Sequence, residues 1–536
     1  MGICTIERMK KTLILILVAL SVSPLHGAQV RPTPIHQVEI RDRAFYVNGK
    51  PFFPLMAWLQ DARNFPTLRE CAMNATAGYS PGSSGTKHVA EYLELVQQAG
   101  LYGVMPFDPR LKDQPALLSY IHDDEPDLLH QESDAVVEPG PHQRVNPSTP
   151  LWRLLDGDVN SWSVLDPLDG ASLTVRLPQP VTVEGLGVAV TVSKGLAMPA
   201  EVAFETGGRQ LLKVRLAAER GVQKFNLPEP ATFRELTLRV LSVMPGEQVW
   251  GSLGELEGYD RQGKNVFLSP PRKVPRALPE VTLRQYRLVK AGDPSRPLFM
   301  TLTGNFHPLF KEYTEEQRAW YPQYVQAADV VGYDIYPIYG YNKPEWLYLS
   351  HEATDQLVRL AAPRPVYAWI ETSKGSQWTG ELAGQKDVRP EHIRAEVWMS
   401  ICRGATAIGY FTHVWKPQYA QFGVPEENRR ALRQINEQIT RLTPAILGRP
   451  ADRAVSIQSA EAVKLDLMAR QSSDGLYLFA VNYDERARES LARIQVAGLA
   501  AGAVVSVVDE GRTLPAQDGG FSDRFAPLAV HIYRLP

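Results

Sequence analysis

The sequence predicts an α/β fold in which eight parallel strands and their helices close into a (β/α)8 TIM barrel. One β-sandwich is expected after the fourth strand and a second at the C-terminus. Three observations support this: eight short apolar runs, helical patterns between several of them, and two long stretches in which apolar and polar residues alternate. Alternating strands and helices indicate a parallel sheet, and eight repeats are typical of a closed barrel.

The eight strand candidates are mostly apolar or β-branched, and most are followed by polar residues, Gly or Pro. Parallel strands that are buried on both faces have this composition. The candidates are residues 53–58, 71–79, 103–108, 118–123, 298–303, 330–337, 366–371 and 405–413.

A helical pattern between the second and third candidates illustrates the intervening segments. Thr86 is predicted to cap its start and Gly100 to end it. Its apolar face consists of Val89, Tyr92, Leu93 and Val96.

The interval between the fourth and fifth candidates is too long for a single βα unit. It spans roughly 170 residues, whereas a unit needs on the order of 30 to 40. Short alternating runs such as 172–177 and 235–240, separated by Pro and Gly turns, predict an inserted β-sandwich. The predicted organisation is a signal peptide (1–28), the first half of the barrel (29–145), the insert (146–260), the second half of the barrel (261–450) and a C-terminal β-sandwich (451–536).

The N-terminus has the pattern of a secretory signal. Arg8, Lys10 and Lys11 precede an apolar run at 13–20, which is followed by the small-residue stretch 26–28. Met9 is an alternative start that also predicts export. No later segment contains about 18 uninterrupted apolar residues, so we expect a secreted or periplasmic protein with no membrane partner after signal cleavage.

Charge and cysteine content restrict the partners. The net charge is −2, with acidic and basic residues mixed along the chain, so no basic surface for nucleic acid is expected. Without Cys4 of the signal, Cys71 and Cys402 remain, which is too few for a zinc cluster or a disulfide scaffold. The oligomeric state stays open.

Two glutamates stand where a parallel barrel presents catalytic groups. Glu125 follows the fourth candidate strand and Glu371 ends the seventh. A protonated and an ionised carboxyl group together can cleave a glycosidic bond. Asp123 and Asp127 are alternatives to Glu125 as the acid.

Glu125-Pro126 after the fourth strand and Glu371 at the end of the seventh resemble the clan A glycoside hydrolases. Members of this clan carry an acid/base Glu, usually in Asn-Glu-Pro, and a nucleophile Glu at these strands. The resemblance implies a retaining glycoside hydrolase that acts on a polysaccharide or oligosaccharide without a catalytic cofactor, with Glu125 as acid/base and Glu371 as nucleophile. Asp124 stands where the clan usually has Asn, which leaves the substrate class open.

Other residues near strand ends are candidates for substrate binding. The resemblance assigns a Tyr after the sixth strand to a hydrogen bond with the nucleophile, whereas each Tyr fits an aromatic core layer equally well. Trp side chains at a barrel mouth stack on sugars, although buried Trp is commoner. The candidates are Asp124, Tyr333, Tyr336, Trp378, His413, Trp415, Asn305 and Trp58, with His307, Asp108 and Arg110 as weaker ones.

The insert resembles a second family. Its opening, 151–162, and its close, 254–259, are similar to the discoidin-like domain of the coagulation factor 5/8 type C family. The resemblance implies a structural calcium ion held by Asp156, Asp158 and Glu255, or by Glu257 in place of Glu255. The alternative is an Asp-Gly turn without an ion. The insert either binds carbohydrate or only shapes the cleft.

Two other functions stay open. The barrel can be a degenerate, non-catalytic scaffold that binds carbohydrate through the insert. A metal-dependent hydrolase would need ligands such as His122, Asp123, His307 and His413, yet no His-x-His or His-Glu-x-x-His pattern occurs. The sugar, the linkage, and exo or endo action are not determined by the sequence.

Overall fold

The computed structural model describes residues 32–536 except 133, 142, 147, 194, 245, 269–271, 460, 462, 487 and 488. The predicted signal peptide, 1–28, lies outside these residues. No helix in the described part of the chain is long and apolar enough to cross a membrane.

Eight parallel strands form a closed barrel, which confirms the predicted fold class. Neighbours in the chain are neighbours in the barrel. The eighth strand pairs with the first and closes the barrel. The fourth strand pairs with the fifth, although a long interval separates them in the chain. The strands are Leu55–Trp58, Ala75–Ala77, Tyr102–Pro106, Leu117–Ile121, Leu298–Thr303, Val330–Asp334, Val366–Glu371 and Ala405–Phe411.

Helices surround the barrel on most of its circumference. The exception is the connection between the third and fourth strands, which is the short 3-10 turn Pro109–Leu111. The helices are Phe65–Glu70, Val89–Gln98, Pro279–Gly292, Glu315–Arg318, Tyr321–Tyr324, Leu349–Ala361, Pro390–Cys402 and Glu426–Ile446.

The ends of helix Val89–Gln98 match the prediction in part. Gly100 follows the helix with φ +80°, as expected for a glycine that ends a helix. The prediction that Thr86 caps the helix is wrong, because the His88 side chain accepts the hydrogen bond from the Glu91 backbone N–H. An imidazole nitrogen performs here the task that a hydroxyl was expected to perform.

Aromatic side chains fill the barrel interior. Tyr367 and Trp369 are buried, and both hydrogen-bond Thr301 Oγ1, at 2.8 and 3.1 Å. Two glycines, on the strands either side of the seventh, make room for these rings. A Cβ on Gly332 would lie 2.2 Å from the Tyr367 ring, and a Cβ on Gly409 would lie 2.0 Å from the Trp369 ring.

A small N-terminal sheet packs against this interior, which sequence patterns did not indicate. Its three strands are Val38–Arg41, Ala44–Val47 and Lys50–Phe52. The Phe45 ring stacks on Phe299 of the fifth barrel strand with ring centroids 5.7 Å apart.

The long interval after the fourth barrel strand forms a β-rich insert with its own hydrophobic core. A two-stranded ribbon, Leu129–Glu132 with Arg272–Pro275, connects it to the barrel. The pairing of its two longest strands has register shifts, and β-bulges of this kind bend the strands. The strands are Val136–Pro139, Arg144–Val145, Ser163–Asp166, Ser172–Val190, Met198–Thr206, Arg209–Arg215, Val222–Met244 and Gly251–Tyr259.

The C-terminal segment forms two sheets, of six and three strands. They pack against the barrel helices, where Phe479 stacks on Trp398 with centroids 5.6 Å apart. The strands are Arg449–Pro450, Val455–Ser459, Leu465–Ser472, Gly475–Asn482, Ser490–Val496, Val504–Val507, Arg512–Pro515, Gly520–Phe525 and Val530–Leu535.

Candidate active site

Three acidic side chains meet at the ends of the fourth and sixth barrel strands. The Asp334 carboxyl group shares a hydrogen bond with Glu125, and Asp124 lies close enough for its charge to act on Asp334. Two carboxyl groups can share a hydrogen bond only when one of them carries a proton. All three residues are partly accessible to solvent. The pair is therefore available both to exchange a proton and to meet a ligand.

Burial and mutual repulsion favour the protonated form in this cluster. The pKa of Asp334 is raised well above its ordinary value by burial and then by the charges of Glu125 and Asp124. Burial, followed by the charge of Glu125, raises the pKa of Asp124 to about 8. Carboxyl groups that share a site in this way separate into a protonated and an ionised member.

A positive side chain from the connecting ribbon fixes Glu125. Arg276 Nη1 lies 3.2 Å from Glu125 Oε2 and donates to the Asp124 carbonyl oxygen at 3.2 Å. Glu125 has φ +49°, a left-handed conformation that is uncommon for a residue other than glycine. Arg276 thus holds a strained residue by its carboxylate and by the carbonyl before it, and strain of this kind is often found at functional sites.

The neighbouring acids of the same loop have different environments. Asp127 is buried and accepts hydrogen bonds from the Thr303 backbone N–H, the Thr303 hydroxyl and the Tyr321 hydroxyl. Asp127 therefore ties the loop to the fifth strand. Asp123 is exposed. The strand ends at Ile121, so strand alternation no longer governs where these side chains point.

The hydrogen-bond partners of Glu371 differ from those of Glu125. It is 0% exposed, and its carboxyl group accepts hydrogen bonds from the backbone N–H groups of Ile338 and Tyr339. It also shares a hydrogen bond with Glu396 of the following helix, to which the Ser350 hydroxyl donates at 3.3 Å. The nearby basic residues Arg394 and Lys374 contact Gln438 and Asp387 instead of Glu371.

Aromatic rings form a continuous wall beside the carboxyl groups. The Tyr336 ring lies 4.8 Å from Phe411, which stacks on Trp415 at 6.0 Å with an interplanar angle of 12°. Trp415 in turn contacts Trp378 at 5.7 Å and Tyr419 at 5.5 Å. Trp378 is 56% exposed and Tyr419 52% exposed. Exposed aromatic faces at a barrel mouth suit stacking on an apolar sugar face.

The remaining sequence candidates lie at varying depths. The Tyr333 hydroxyl contacts Thr354 and Ser350 in the helix layer, which matches the core-layer alternative. His413 is buried, and its Nε2 lies 3.0 Å from the Trp58 carbonyl oxygen. It therefore packs beneath the aromatic wall and is not exposed to the cleft. Trp58 contacts Trp369 edge-on, and Asn305 is buried in the turn after the fifth strand. Asp108 and Arg110 form an ion pair with each other.

Glu125 of the carboxyl cluster lines a cleft shared by the barrel and the insert. The cleft has a volume of about 560 Å³. Glu125, Arg276 and Trp378 line it on the barrel side, and Trp152 and Trp162 line it on the insert side. A cavity of this size with aromatic walls and a few polar groups is typical of a small-molecule or oligosaccharide site.

Two of the predicted calcium ligands lie together. Asp156 and Glu255 share a hydrogen bond, and burial, followed by the contact with Asp156, raises the pKa of Glu255 to about 10. Glu255 Oε2 is buried without a hydrogen-bond partner, so these two oxygen donors suit a hard cation. The Asp158 carboxylate instead accepts from the Asn160 backbone and side-chain N–H groups. A calcium ion held by Asp156 and Glu255 stays a prediction.

If calcium binds there, adding it to protein dialysed against a chelator should raise Tm. Binding to the folded state alone stabilises by about 2.7 kcal/mol at one hundred times Kd. Glu255→Gln should lose this calcium response and, because Gln cannot ionise, should be as stable as the calcium-free wild type or more so. Differential scanning calorimetry measures both effects. An equal calcium response in the variant would exclude Glu255 as a ligand.

The histidines of the metal-dependent alternative are scattered. His122 Nε2 contacts the Ala327 carbonyl oxygen, and His307 lies 3.9 Å from Glu352. Across the described ranges, no group of three or more His, Cys, Asp or Glu residues is arranged to hold a metal. The donor arrangement thus gives the metal-dependent alternative no support.

No family model and no curated protein sequence matches the chain. Similar solved structures include an α-amylase from Anoxybacillus, 11% identical with a TM-score of 0.34, which covers 48% of this chain and 56% of its own. The Geobacillus thermoleovorans α-amylase complexed with acarbose is 9% identical with a TM-score of 0.34, covering 49% of this chain and 58% of its own.

The family 32 carbohydrate-binding module of Clostridium perfringens NanJ, in complex with galactose, is 14% identical with a TM-score of 0.20. It covers 24% of this chain and 97% of its own. At such low identities and scores, the chemistry of this chain has to be argued from its own residues.

Three residues of the candidate site were missed in the sequence. Asp334 could have been identified from the sequence, since it is the acidic residue that ends the sixth strand. Arg276 and Glu396 had none, because one lies in a ribbon about 150 residues from Glu125 and the other within a helix. Contacts over such separations in the chain arise only when the barrel closes.

Proposed function

We propose that this chain is a retaining glycoside hydrolase that acts through the carboxyl pair Asp334 and Glu125. The observation that carries the proposal is the hydrogen bond shared by these two side chains beside an aromatic-walled cleft. We further propose that the protein acts outside the cytoplasm, in keeping with the secretory pattern at 1–28.

The environment of each carboxyl group assigns its role. Asp334 favours the protonated form, so it gives its proton to the glycosidic oxygen as that bond breaks. Glu125 lies beside Arg276, and its carboxylate attacks the anomeric carbon to form a glycosyl ester. Asp334, now ionised, then takes a proton from water. The resulting hydroxide equivalent displaces Glu125 and regenerates both groups.

The closeness of the pair supports retention. Retaining enzymes hold their two carboxyl groups about 5 to 5.5 Å apart, and inverting enzymes about 6.5 to 9.5 Å apart, to admit a water molecule. Groups that share a hydrogen bond are nearer to the retaining arrangement than to the inverting one, and a sugar that enters between them has only to separate them slightly. An inverting reaction would require a much larger displacement of two strand ends.

This assignment differs from the one that the clan A resemblance implies. Glu125 becomes the nucleophile instead of the acid/base, and Asp334 takes the place of Glu371 in the pair. We propose that Glu371 is a positioning residue, because it binds the two backbone N–H groups of the loop that carries Tyr336 and Tyr339. Glu371 as nucleophile remains the competing hypothesis.

A stereochemical experiment tests the proposal. Proton NMR of the first product should show the anomeric configuration of the substrate. With added azide, Glu125→Gly should give a glycosyl azide of inverted configuration, because azide takes the place of the nucleophile. Asp334→Gly should give a glycosyl azide of retained configuration, because the glycosyl ester still forms. An inverted natural product would contradict the proposal, and an inverted azide from Glu371→Gly alone would restore Glu371 as nucleophile.

We expect the insert to contribute more to long substrates than to short ones. Replacing residues 136–267 with a short linker removes Trp152 and Trp162 from the cleft but retains the ribbon that carries Arg276. Its kcat/KM should fall about 10- to 100-fold on an oligosaccharide and little on a small aryl glycoside, since remote contacts orient only the longer chain. Trp162→Ala is the matched point variant. Equal losses on both substrates would show that the insert mainly stabilises the fold.

A further inference from the structure

We infer that the cleft between the insert and the barrel binds a negatively charged glycan, one that carries carboxylate or sulfate groups. The inference rests on the proposed function and names the substrate class of that same site. It is carried by three basic side chains that line the cleft, Arg153, Lys273 and Arg276, and by the state of the acids around them.

Arg153 is the central observation. Its side chain is partly buried in the cleft wall. Its guanidinium group lies 5.8 Å from the Trp152 ring centroid, and it forms no hydrogen bond or ion pair with any residue that the structure describes. Burial and the nearby charge of Arg276 lower the pKa of Arg153, and the charge of Asp156 offsets them only in part. A partly buried guanidinium without a direct ion pair is unfavourable, and a bound anion would relieve this cost.

Lys273 adds a second cation to the cleft. It lies on the ribbon strand that leads to Arg276, is exposed, and has no acidic partner among the described side chains. Arg153 comes from the insert and Lys273 from the ribbon, so the two cations approach the cleft from different elements. A ligand that spans both must carry negative charge on more than one sugar unit or on a single group between them.

The acids of the cleft are already engaged within the protein. Glu125 pairs with Arg276, and Asp156 shares a proton with the buried Glu255. Asp158 accepts hydrogen bonds from Asn160. Three acids therefore face three cations, but the acids have internal partners, whereas Arg153 and Lys273 form no direct ion pair with the residues that the structure describes. The unsatisfied charge available to a ligand is positive.

The aromatic residues of the same cleft indicate that the anion belongs to a sugar. Trp162 of the insert is 44% exposed and Trp378 of the barrel 56% exposed, and both line the cleft with Arg153. Stacking surfaces next to cations suit a pyranose ring that bears a carboxylate or a sulfate. A free inorganic anion would make no use of the two indole rings.

Calorimetry with the full-length mature protein tests the inference, with Asp334→Asn present to prevent turnover. The probes are tetragalacturonate, a sulfated galactan tetrasaccharide and neutral galactotetraose. At least one charged probe should bind about tenfold or more tighter than the neutral one, since hydrogen bonds to charged groups are the stronger kind. That preference should decrease with added salt. The better of the two charged probes identifies the anionic group. Equal affinity for all three probes, or binding of none, would overturn the inference.

Point variants locate the effect. Arg153→Gln should weaken the charged probe about tenfold and leave the neutral probe unchanged. Arg153→Lys should retain part of the affinity. Lys273→Gln should also weaken the charged probe, and its exposed position protects against misfolding. Arg220→Gln, exposed on the same insert outside the cleft lining, is the matched control. A folded Arg153→Gln protein and a Lys273→Gln protein that both bind the charged probe as tightly as the control would overturn the inference.

The inference and the proposed function can fail separately. Hydrolysis of neutral glycans together with no preference for charge would retain the glycosidase and remove the anionic subsite. Arginine-dependent binding of a charged glycan, with no hydrolysis of any glycan by the wild-type chain, would retain the subsite and remove the glycosidase.

Discussion

Glu125→Gln and Asp334→Asn are each expected to lower kcat by about three orders of magnitude or more on any substrate that the wild-type protein cleaves. Loss of a nucleophile or of an acid removes the step that it performs, and acid–base catalysis alone contributes about 10²- to 10⁴-fold. The amides preserve shape and hydrogen-bonding capacity, so both proteins should fold. Initial rates and circular dichroism measure the two properties.

Asp123→Asn is the matched control for this pair. Asp123 lies in the same loop, two residues before Glu125, but is exposed. Its substitution should leave kcat within about threefold, as is usual for surface changes away from a site. A loss as large as that of Glu125→Gln would instead identify Asp123 as the acid, one of the alternatives that the sequence leaves open. Wild-type turnover by Asp334→Asn would contradict the carboxyl pair.

Glu371→Gln is expected to affect stability more than chemistry. Burial raises the pKa of Glu371 from 4.5 to about 7 in the folded protein. The folded state thus holds a proton that the unfolded state releases above pH 4.5, and the wild-type protein should lose stability as pH rises from about 4.5 to about 7. Gln cannot ionise, so the contribution of Glu371 to this loss, about 3 kcal/mol, should be absent from the variant. Urea unfolding at a series of pH values measures it.

Activity separates the two hypotheses for Glu371. A positioning residue that is replaced by Gln still accepts hydrogen bonds from Ile338 and Tyr339, so kcat should stay within about tenfold of the wild-type value. A nucleophile replaced by Gln would lose at least as much as Glu125→Gln. Glu396→Gln, the partner in the buried pair, is the matched variant and should show the same flattened pH dependence. A steep pH dependence in the double variant Glu371→Gln, Glu396→Gln would exclude the pair as its cause.

The sequence by itself determined the barrel, because each strand and helix has a local pattern. Runs such as 298–303 and 366–371 are mostly apolar, as is typical of strands buried on both faces, and the observed strands have these bounds. The insert was recognisable for the same reason, since its strands alternate between core and solvent. Trp378 and Trp415 were also identifiable, because a residue just beyond a barrel strand lies at the mouth.

Only the tertiary structure decided which acids form a pair. Glu125 and Glu371 both stand at or just beyond the end of a barrel strand. Glu125 has a left-handed backbone and meets Asp334, whereas Glu371 lies under the loop at Ile338 and meets Glu396. The same holds for the cleft, where Arg153 of the insert meets Arg276 of the segment that returns to the barrel. Strand patterns depend on neighbours within a few residues. The pKa of a carboxyl group depends on charge and burial contributed by distant parts of the chain, which no local pattern contains.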